Sequence, residues 1–79
     1  MAKIKRNAPK NIRINDNITF TYWNQNDWEF GIDGRNISEE QHNRYQVLAA
    51  MLVNAIAPRG IPSKALPGFV KMSQEAFAL

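Results

Sequence analysis

Large apolar residues alternate with polar or small residues between positions 11 and 33, and this alternation restricts the possible folds more than any other feature of the chain. Because successive side chains of a β-strand point to opposite faces, the pattern predicts strands with one apolar and one polar face. The apolar positions are Ile12, Ile14, Ile18, Phe20, Tyr22, Trp28, Phe30 and Ile32.

The two aromatic segments also predict how their strands pair. If Phe20 lies opposite Phe30, the apolar residues of both strands share one face of an antiparallel sheet, whereas a shift by one residue sets apolar residues against polar ones. Ile12 falls opposite Phe20 by the same reasoning. The connections are then 15–17 and 23–27, which are usual hairpin lengths. We therefore expect a three-stranded antiparallel meander with its aromatic rings facing the interior.

Trp23 begins the second connection and departs from the alternation. It stands beside the amide side chains of Asn24, Gln25 and Asn26, and a rigid aromatic anchor with adaptable polar neighbours is typical of binding loops. The alternative is that Trp23 folds over the sheet edge. We predict that Trp23, Asn24 and Asn26 contact a partner, with Arg35 at the opposite end of the sheet as an additional candidate.

One long helix is predicted after the turn at Asp33-Gly34. Ser38 suits the N-cap position, and the two glutamates that follow it suit the positive end of the helix dipole. Pro58 and Gly60 end the helix near Ala57.

The apolar residues of this helix cover about 240° of its surface, counted at ~100° per residue. A three-stranded sheet covers only one side of such a helix, so Val47 and Met51 need another cover. Two candidates remain open at this point: the C-terminal segment of the chain and a second copy of the chain. Val47 and Met51 are therefore the predicted self-association residues.

The predicted fold is α+β: a three-stranded antiparallel meander packed on one long α-helix, with a short C-terminal helix or strand. Residues 1–10 are expected to form a flexible basic arm, because they are polar and contain Pro9. Residues 11–79 are expected to form one small domain. Within it, the proline- and glycine-rich stretch 57–69 predicts an irregular connection, and residues 69–79 supply the C-terminal element.

The positive charge of the chain is concentrated near its start. Residues 1–15 contain five basic residues and no acid (+5), whereas residues 16–79 contain five basic and seven acidic residues (−2), which together give the net charge of +3. The basic residues are Lys3, Lys5, Arg6, Lys10 and Arg13. Such a segment can bind nucleic acid or a nucleotide, complement an acidic protein surface, or only keep the chain dispersed.

Catalytic and metal-binding patterns are scarce. The sequence has no cysteine and one histidine, His42, which follows Glu39 by one helical turn. A metal-assisted reaction at these two residues is the third hypothesis, but such helical sites need further carboxylates from other helices. We expect a protein that is not an enzyme and holds no cofactor or metal.

In its size, its lack of cysteine and its order of meander then helix, the chain is similar to small accessory proteins of phages and mobile elements, including inhibitors of bacterial defence systems. The resemblance implies a non-catalytic inhibitor or modulator that occludes a partner protein surface; a basic-arm protein that binds nucleic acid or a nucleotide is the alternative. With no signal-peptide pattern and no long apolar run, we expect a cytoplasmic location and no membrane partner. Homo-oligomerisation is left open.

Overall fold

The computed structural model describes residues 8–78, which form an α+β fold of three antiparallel strands and two helices. The elements in chain order are β1 (Lys10–Arg13), β2 (Ile18–Asn24), β3 (Asp27–Ile32), α1 (Glu39–Ile56) and α2 (Leu66–Phe77), with a 3₁₀ turn at Ser63–Ala65 before α2. The strands lie in the order β1-β2-β3. The predicted meander and long helix are therefore confirmed. Within the described range, neither helix combines the length and apolarity that a membrane-spanning segment requires.

The strand register agrees with the prediction. Phe20 pairs with Phe30 and with Ile12, and Ile18 pairs with Ile32. Phe20 and Ile18 are completely buried, because this register gathers the apolar side chains of all three strands on one face.

The predicted five-residue connection between β2 and β3 is wrong. Tyr22 pairs with Trp28 and Asn24 pairs with Asp27, so Trp23 is an extra residue within β2, and the turn consists of Gln25 and Asn26 alone. Neither turn residue has a positive φ, which the favoured two-residue hairpin turns require. A β-bulge strengthens the local twist, so the bulge at Trp23 provides twist that this turn does not.

Aromatic rings from the sheet and from α2 form the centre of the core. The Phe20 ring lies 5.0 Å from that of Phe30 and 5.1 Å from that of Phe69, measured between ring centroids. Phe77 contacts both Phe30 and Tyr45, at 5.5 Å and 5.8 Å. Tyr45 belongs to α1, so these rings connect the sheet to both helices.

The N-cap prediction for α1 is confirmed. The Ser38 side chain accepts a hydrogen bond from the backbone N–H of Gln41 at 3.0 Å, which satisfies one of the free donors at the helix start. At the other end, the Gly60 N–H donates to the Ile56 carbonyl, and Gly60 has a φ of 74° that is unfavourable for residues with a Cβ. The helix therefore ends close to the predicted position.

The C-terminal part of the chain differs from its prediction. Val70 and Met72 lie inside α2, so the strand alternative is wrong, and α2 already begins at Leu66 within the stretch predicted to be irregular. Pro67 is compatible with this because the first turn of a helix needs no backbone donor. The buried residues of α2 include Phe69 and Phe77, so α2 covers the sheet and leaves Val47 and Met51 exposed.

The boundary of the predicted basic arm also changes. Lys10 pairs with Tyr22 and is the first residue of β1 rather than the last residue of an arm. Of the predicted arm 1–10, residues 1–7 lie outside the described part of the chain.

Candidate functional site

A groove lies where β1 begins and β2 ends, and it contains two of the predicted contact residues. Its volume is about 420 Å³. It is lined by Ala8, Lys10, Tyr22, Trp23, Asn24, Gln25 and Ser63. We call it the Trp23 groove. Trp23 itself is half-buried, and it lies within β2 rather than in the connection that follows.

The Gln25 carbonyl fixes the turn that forms one wall of the groove. It accepts a hydrogen bond from the Ile61 backbone N–H at 2.8 Å and another from the Trp28 indole Nε1 at 3.1 Å. A carbonyl oxygen has two lone pairs, so both are used. The tip of the hairpin is therefore attached to its own strand β3 and to the segment that follows α1.

The asparagines of the turn have structural partners. The Asn24 side-chain oxygen Oδ1 accepts from the Asn26 backbone N–H at 2.9 Å, which is a local bond that stabilises turns. A Cβ placed on Gly60 would lie 2.4 Å from the Gln25 carbonyl oxygen and 2.8 Å from Asn26 Oδ1. The turn therefore packs directly on the Gly60 backbone, and Asn26 lies at this contact rather than in the lining of the groove.

A second pair of bonds joins the same two regions. The Tyr22 hydroxyl donates to the Ile61 carbonyl at 2.7 Å in a buried position, and the Gln25 side-chain nitrogen Nε2 donates to the Arg59 carbonyl at 3.3 Å. Ile61 is buried. The backbone groups of residues 59–61 thus hold the side chains and the turn that line the groove.

Lys10 supplies the cationic side chain of the groove. It lies opposite Tyr22 in the register, whereas Arg13, three residues later, lies opposite Thr19 on the other face of the sheet. The Arg13 side chain donates to the carbonyls of Asn15 and Asp16. Lys10 and Arg13 therefore do not form one continuous basic path. The other predicted anion-binding residues, Lys3, Lys5 and Arg6, lie outside the described residues.

Arg35 lies at the other end of the sheet, about seven strand residues or ~20 Å from the groove. Its guanidinium forms a two-pronged ion pair with Asp33, with Nε at 3.0 Å from Oδ1 and an NH2 at 2.8 Å from Oδ2. The side-chain hydrogen bonds from Arg35, followed by its backbone N–H, lower the pKa of Asp33 to about 2. The structure therefore does not bring Arg35 together with Trp23, Asn24 and Asn26.

The Asp33–Arg35 pair borders a polar recess of about 460 Å³. Its lining residues are Arg13, Asp16, Asn17, Asp33, Arg35 and Asn36. Its two arginines are balanced by two aspartates, so it has no excess charge to attract an ion.

Glu39 and His42 do not gain further ligands in the described structure. Glu39 is exposed in the first turn of α1, and the half-buried His42 lies beside Gly34. Among residues 8–78, no three histidine, aspartate or glutamate side chains lie close enough together to hold a metal ion.

Sequence reasoning identified Trp23 and Asn24 in the groove but missed Tyr22, Gln25 and Ser63 as lining residues. Tyr22 was assigned to the core, which is also correct, since it is 5% exposed. Ser63 belongs to the segment after α1, which brings it to the groove. In the sequence, only Gly60 indicates that this segment makes a close backbone contact.

Comparison of the chain with models of known protein families, with characterised proteins and with solved structures finds no match.

Proposed function

We propose that the chain is a non-catalytic binding protein that contacts a partner protein through the Trp23 groove and occludes part of the partner's surface. The observation that carries this proposal is the construction of the groove. A half-buried tryptophan and a lysine stand beside a hairpin turn that is held by buried and backbone hydrogen bonds.

Preorganisation supports a binding role. A loop that becomes ordered only on association loses conformational entropy, which weakens binding. Here the turn at Gln25 is attached to Ile61, Trp28 and Arg59 before any partner arrives. Trp23 and Asn24 are therefore presented from a fixed β-hairpin, and little of the contact energy is lost in ordering them.

The shape of the groove favours a protein surface over a small ligand. Sites for small molecules usually enclose most of the ligand, whereas this groove lies at a sheet end with exposed residues such as Lys10, Asn24 and Ser63 along it. It fits one or two side chains that project from a partner, and tryptophan is a frequent anchor in such contacts.

The charges favour an acidic partner surface. Lys10 lies in the groove, and the sequence that is joined to the groove at Ala8 carries Lys3, Lys5 and Arg6. We infer that a carboxylate of the partner binds beside Lys10 while an apolar side chain packs on Trp23. This arrangement is consistent with the resemblance to phage-type inhibitors, which act by covering a protein surface.

A matched pair of charge reversals tests the proposal. Lys10→Glu and Arg13→Glu change the net charge equally and lie three residues apart in β1, but only Lys10 lines the groove. The binding partner is first enriched on the wild-type chain from nuclease-treated lysate of the source cell, and each variant's affinity for it is then measured. We expect Lys10→Glu to weaken binding at least ~10-fold and Arg13→Glu to change it less than ~3-fold.

Trp23→Ala provides the second measurement. We expect a loss of at least ~10-fold in affinity, as for a tryptophan at the centre of an interface, while circular dichroism verifies that the variant is folded. Equal losses for Lys10→Glu and Arg13→Glu would contradict the proposal. A partner that is recovered only from lysate without nuclease would also contradict it and would favour nucleic-acid binding instead.

A further inference from the structure

One face of α1 carries apolar and small side chains together with one amide, and nothing else in residues 8–78 covers this face. Its members are Val47, Ala50, Met51, Asn54 and Ala55. They follow the three- and four-residue spacing that places side chains on one side of a helix. Val47 is 58% exposed and Met51 is 61% exposed, although both are large and apolar.

The core of the protein lies on the opposite side of α1. Tyr45 is the buried residue of this helix, and Leu48, Leu52 and Ile56 pack against the core from the same side. The C-terminal helix α2 meets α1 on this inner side, where Phe77 contacts Tyr45. The outer face therefore keeps its apolar groups after the chain has folded.

Opposite net charges flank this outer face in the sequence. The face is preceded by two acids and one base, Glu39, Glu40 and Arg44, whose net charge is −1. It is followed by Arg59, whose charge is +1. Residues 45–58 contain no charge. When two identical helices pair in antiparallel orientation, the acidic end of each lies beside the basic end of the other. In parallel orientation, like charges would meet.

We propose that this face binds a second copy of the chain, with the two α1 helices antiparallel and Met51 near the two-fold axis. The uncharged stretch 45–58 has its centre at Met51 and Leu52, and of these two Met51 faces outward. Val47 then lies opposite Ala55 of the second copy, so a large side chain meets a small one and the helices can approach closely. A two-fold interface requires such a self-complementary surface.

The expected dimer is concentration-dependent. α1 has 18 residues and is about 27 Å long. One pair of such helices buries less than the ~1,200–2,000 Å² of a standard stable interface. Because the Trp23 groove lies near the C-terminal end of α1, the two grooves lie at opposite ends of the dimer and both stay accessible. The inference does not depend on what the groove binds.

Cysteine cross-linking tests the orientation directly, since the natural chain has no cysteine. We expect Met51→Cys to form a disulfide-linked dimer under mild oxidation. Val47→Cys alone is expected to form none, because its two copies are separated by about 12 Å along the helix axis, beyond disulfide reach. The double variant Val47→Cys/Ala55→Cys is expected to cross-link. A Val47→Cys dimer, or no dimer with Met51→Cys, would overturn the proposed arrangement.

Sedimentation over a range of concentrations tests the association itself without cysteine. We expect the wild-type chain to pass from monomer to dimer, and Met51→Glu to raise the midpoint concentration at least ~10-fold because two like charges meet near the axis. Met72→Glu is the matched control, since Met72 is an exposed methionine on α2 (44%), and it is expected to leave the midpoint unchanged. A wild-type chain that stays monomeric throughout, or equal effects of the two substitutions, would overturn the proposal.

Discussion

The Tyr22 hydroxyl donates a buried hydrogen bond of 2.7 Å to the Ile61 carbonyl, across 39 positions of the sequence. This bond joins the end of β2 to the segment that follows α1. The reverse connection runs from the Ile61 N–H to the Gln25 carbonyl. Ile61 therefore uses both of its backbone polar groups to hold the hairpin that forms the Trp23 groove.

Tyr22→Phe is expected to destabilise the protein by about 1–2 kcal/mol, because it leaves the buried Ile61 carbonyl without its donor. Chemical denaturation measures this change. Tyr45→Phe is the matched control: within residues 8–78 the Tyr45 hydroxyl makes no hydrogen bond, so its removal is expected to cost less than ~0.5 kcal/mol. Equal effects of the two substitutions would show that the Tyr22–Ile61 bond does not stabilise the fold.

Gly60→Ala is expected to destabilise the protein by at least ~2 kcal/mol, since a left-handed backbone costs roughly 1–2 kcal/mol in a residue with a Cβ. The Gly60 φ is 74°, and the added Cβ would collide with the Gln25 carbonyl oxygen. Gly68→Ala is the counterpart within α2. Its Cβ would meet nothing within 4 Å, so it is expected to stabilise the helix by about 0.5–1 kcal/mol. Thermal unfolding of both variants measures these changes in stability. A Gly60→Ala variant that is more stable than the wild type would contradict the predicted clash.

Ser73→Ala is expected to stabilise the protein by about 1 kcal/mol. The Ser73 side chain on α2 is completely buried, and its hydroxyl has no hydrogen-bond partner within residues 8–78. An unpaired buried hydroxyl costs about 1–3 kcal/mol, and alanine also favours the helix. The measurement is the midpoint of urea unfolding. Ser63→Ala, at an exposed serine, is the control for the loss of a hydroxyl, and a destabilised Ser73→Ala variant would show that Ser73 has a partner in solution.

The Asp33 carboxyl is expected to titrate near pH 2, below its ordinary pKa of 3.8, because Arg35 donates to its ionised form. Since the folded-state pKa is lowered, the stabilisation from this pair is present above pH 3.8 and is lost as the pH falls from 3.8 toward 2. Arg35→Gln is expected to return the pKa toward its ordinary value. Nuclear magnetic resonance titration of the side-chain carboxyl resonance measures the Asp33 pKa in the wild type and in the variant. An unchanged pKa in Arg35→Gln would exclude Arg35 as the cause of the lowered value.

The sheet could be predicted from the sequence because its register depends on a local pattern. Of the antiparallel pairings that keep Phe20, Tyr22, Trp28 and Phe30 on one face, only one sets each of these rings opposite another, and the structure has this pairing. The start of α1 was also predictable, since a Ser38 cap depends only on neighbouring residues.

The details of the groove were not predictable in the same way. The bulge at Trp23 places one extra residue in β2, and an alternation pattern contains no signal for it. Ser63 joins the groove only after α1 has brought residues 59–61 back to the hairpin. Such long-range contacts depend on how the elements pack. The sequence therefore predicted Trp23 and Asn24 as contact residues but not the packing of residues 59–61 against the hairpin.

The most direct test of the proposed function is photo-cross-linking from inside the groove. A p-benzoylphenylalanine residue replaces the groove residue Asn24 in one variant and the exposed α2 residue Gln74 in a control variant, and both are irradiated in nuclease-treated lysate of the source cell. We expect a discrete protein adduct from position 24, lost when Trp23→Ala is added, and no such adduct from position 74. Equal adducts from both positions, or an adduct that survives Trp23→Ala unchanged, would contradict a partner contact at the Trp23 groove.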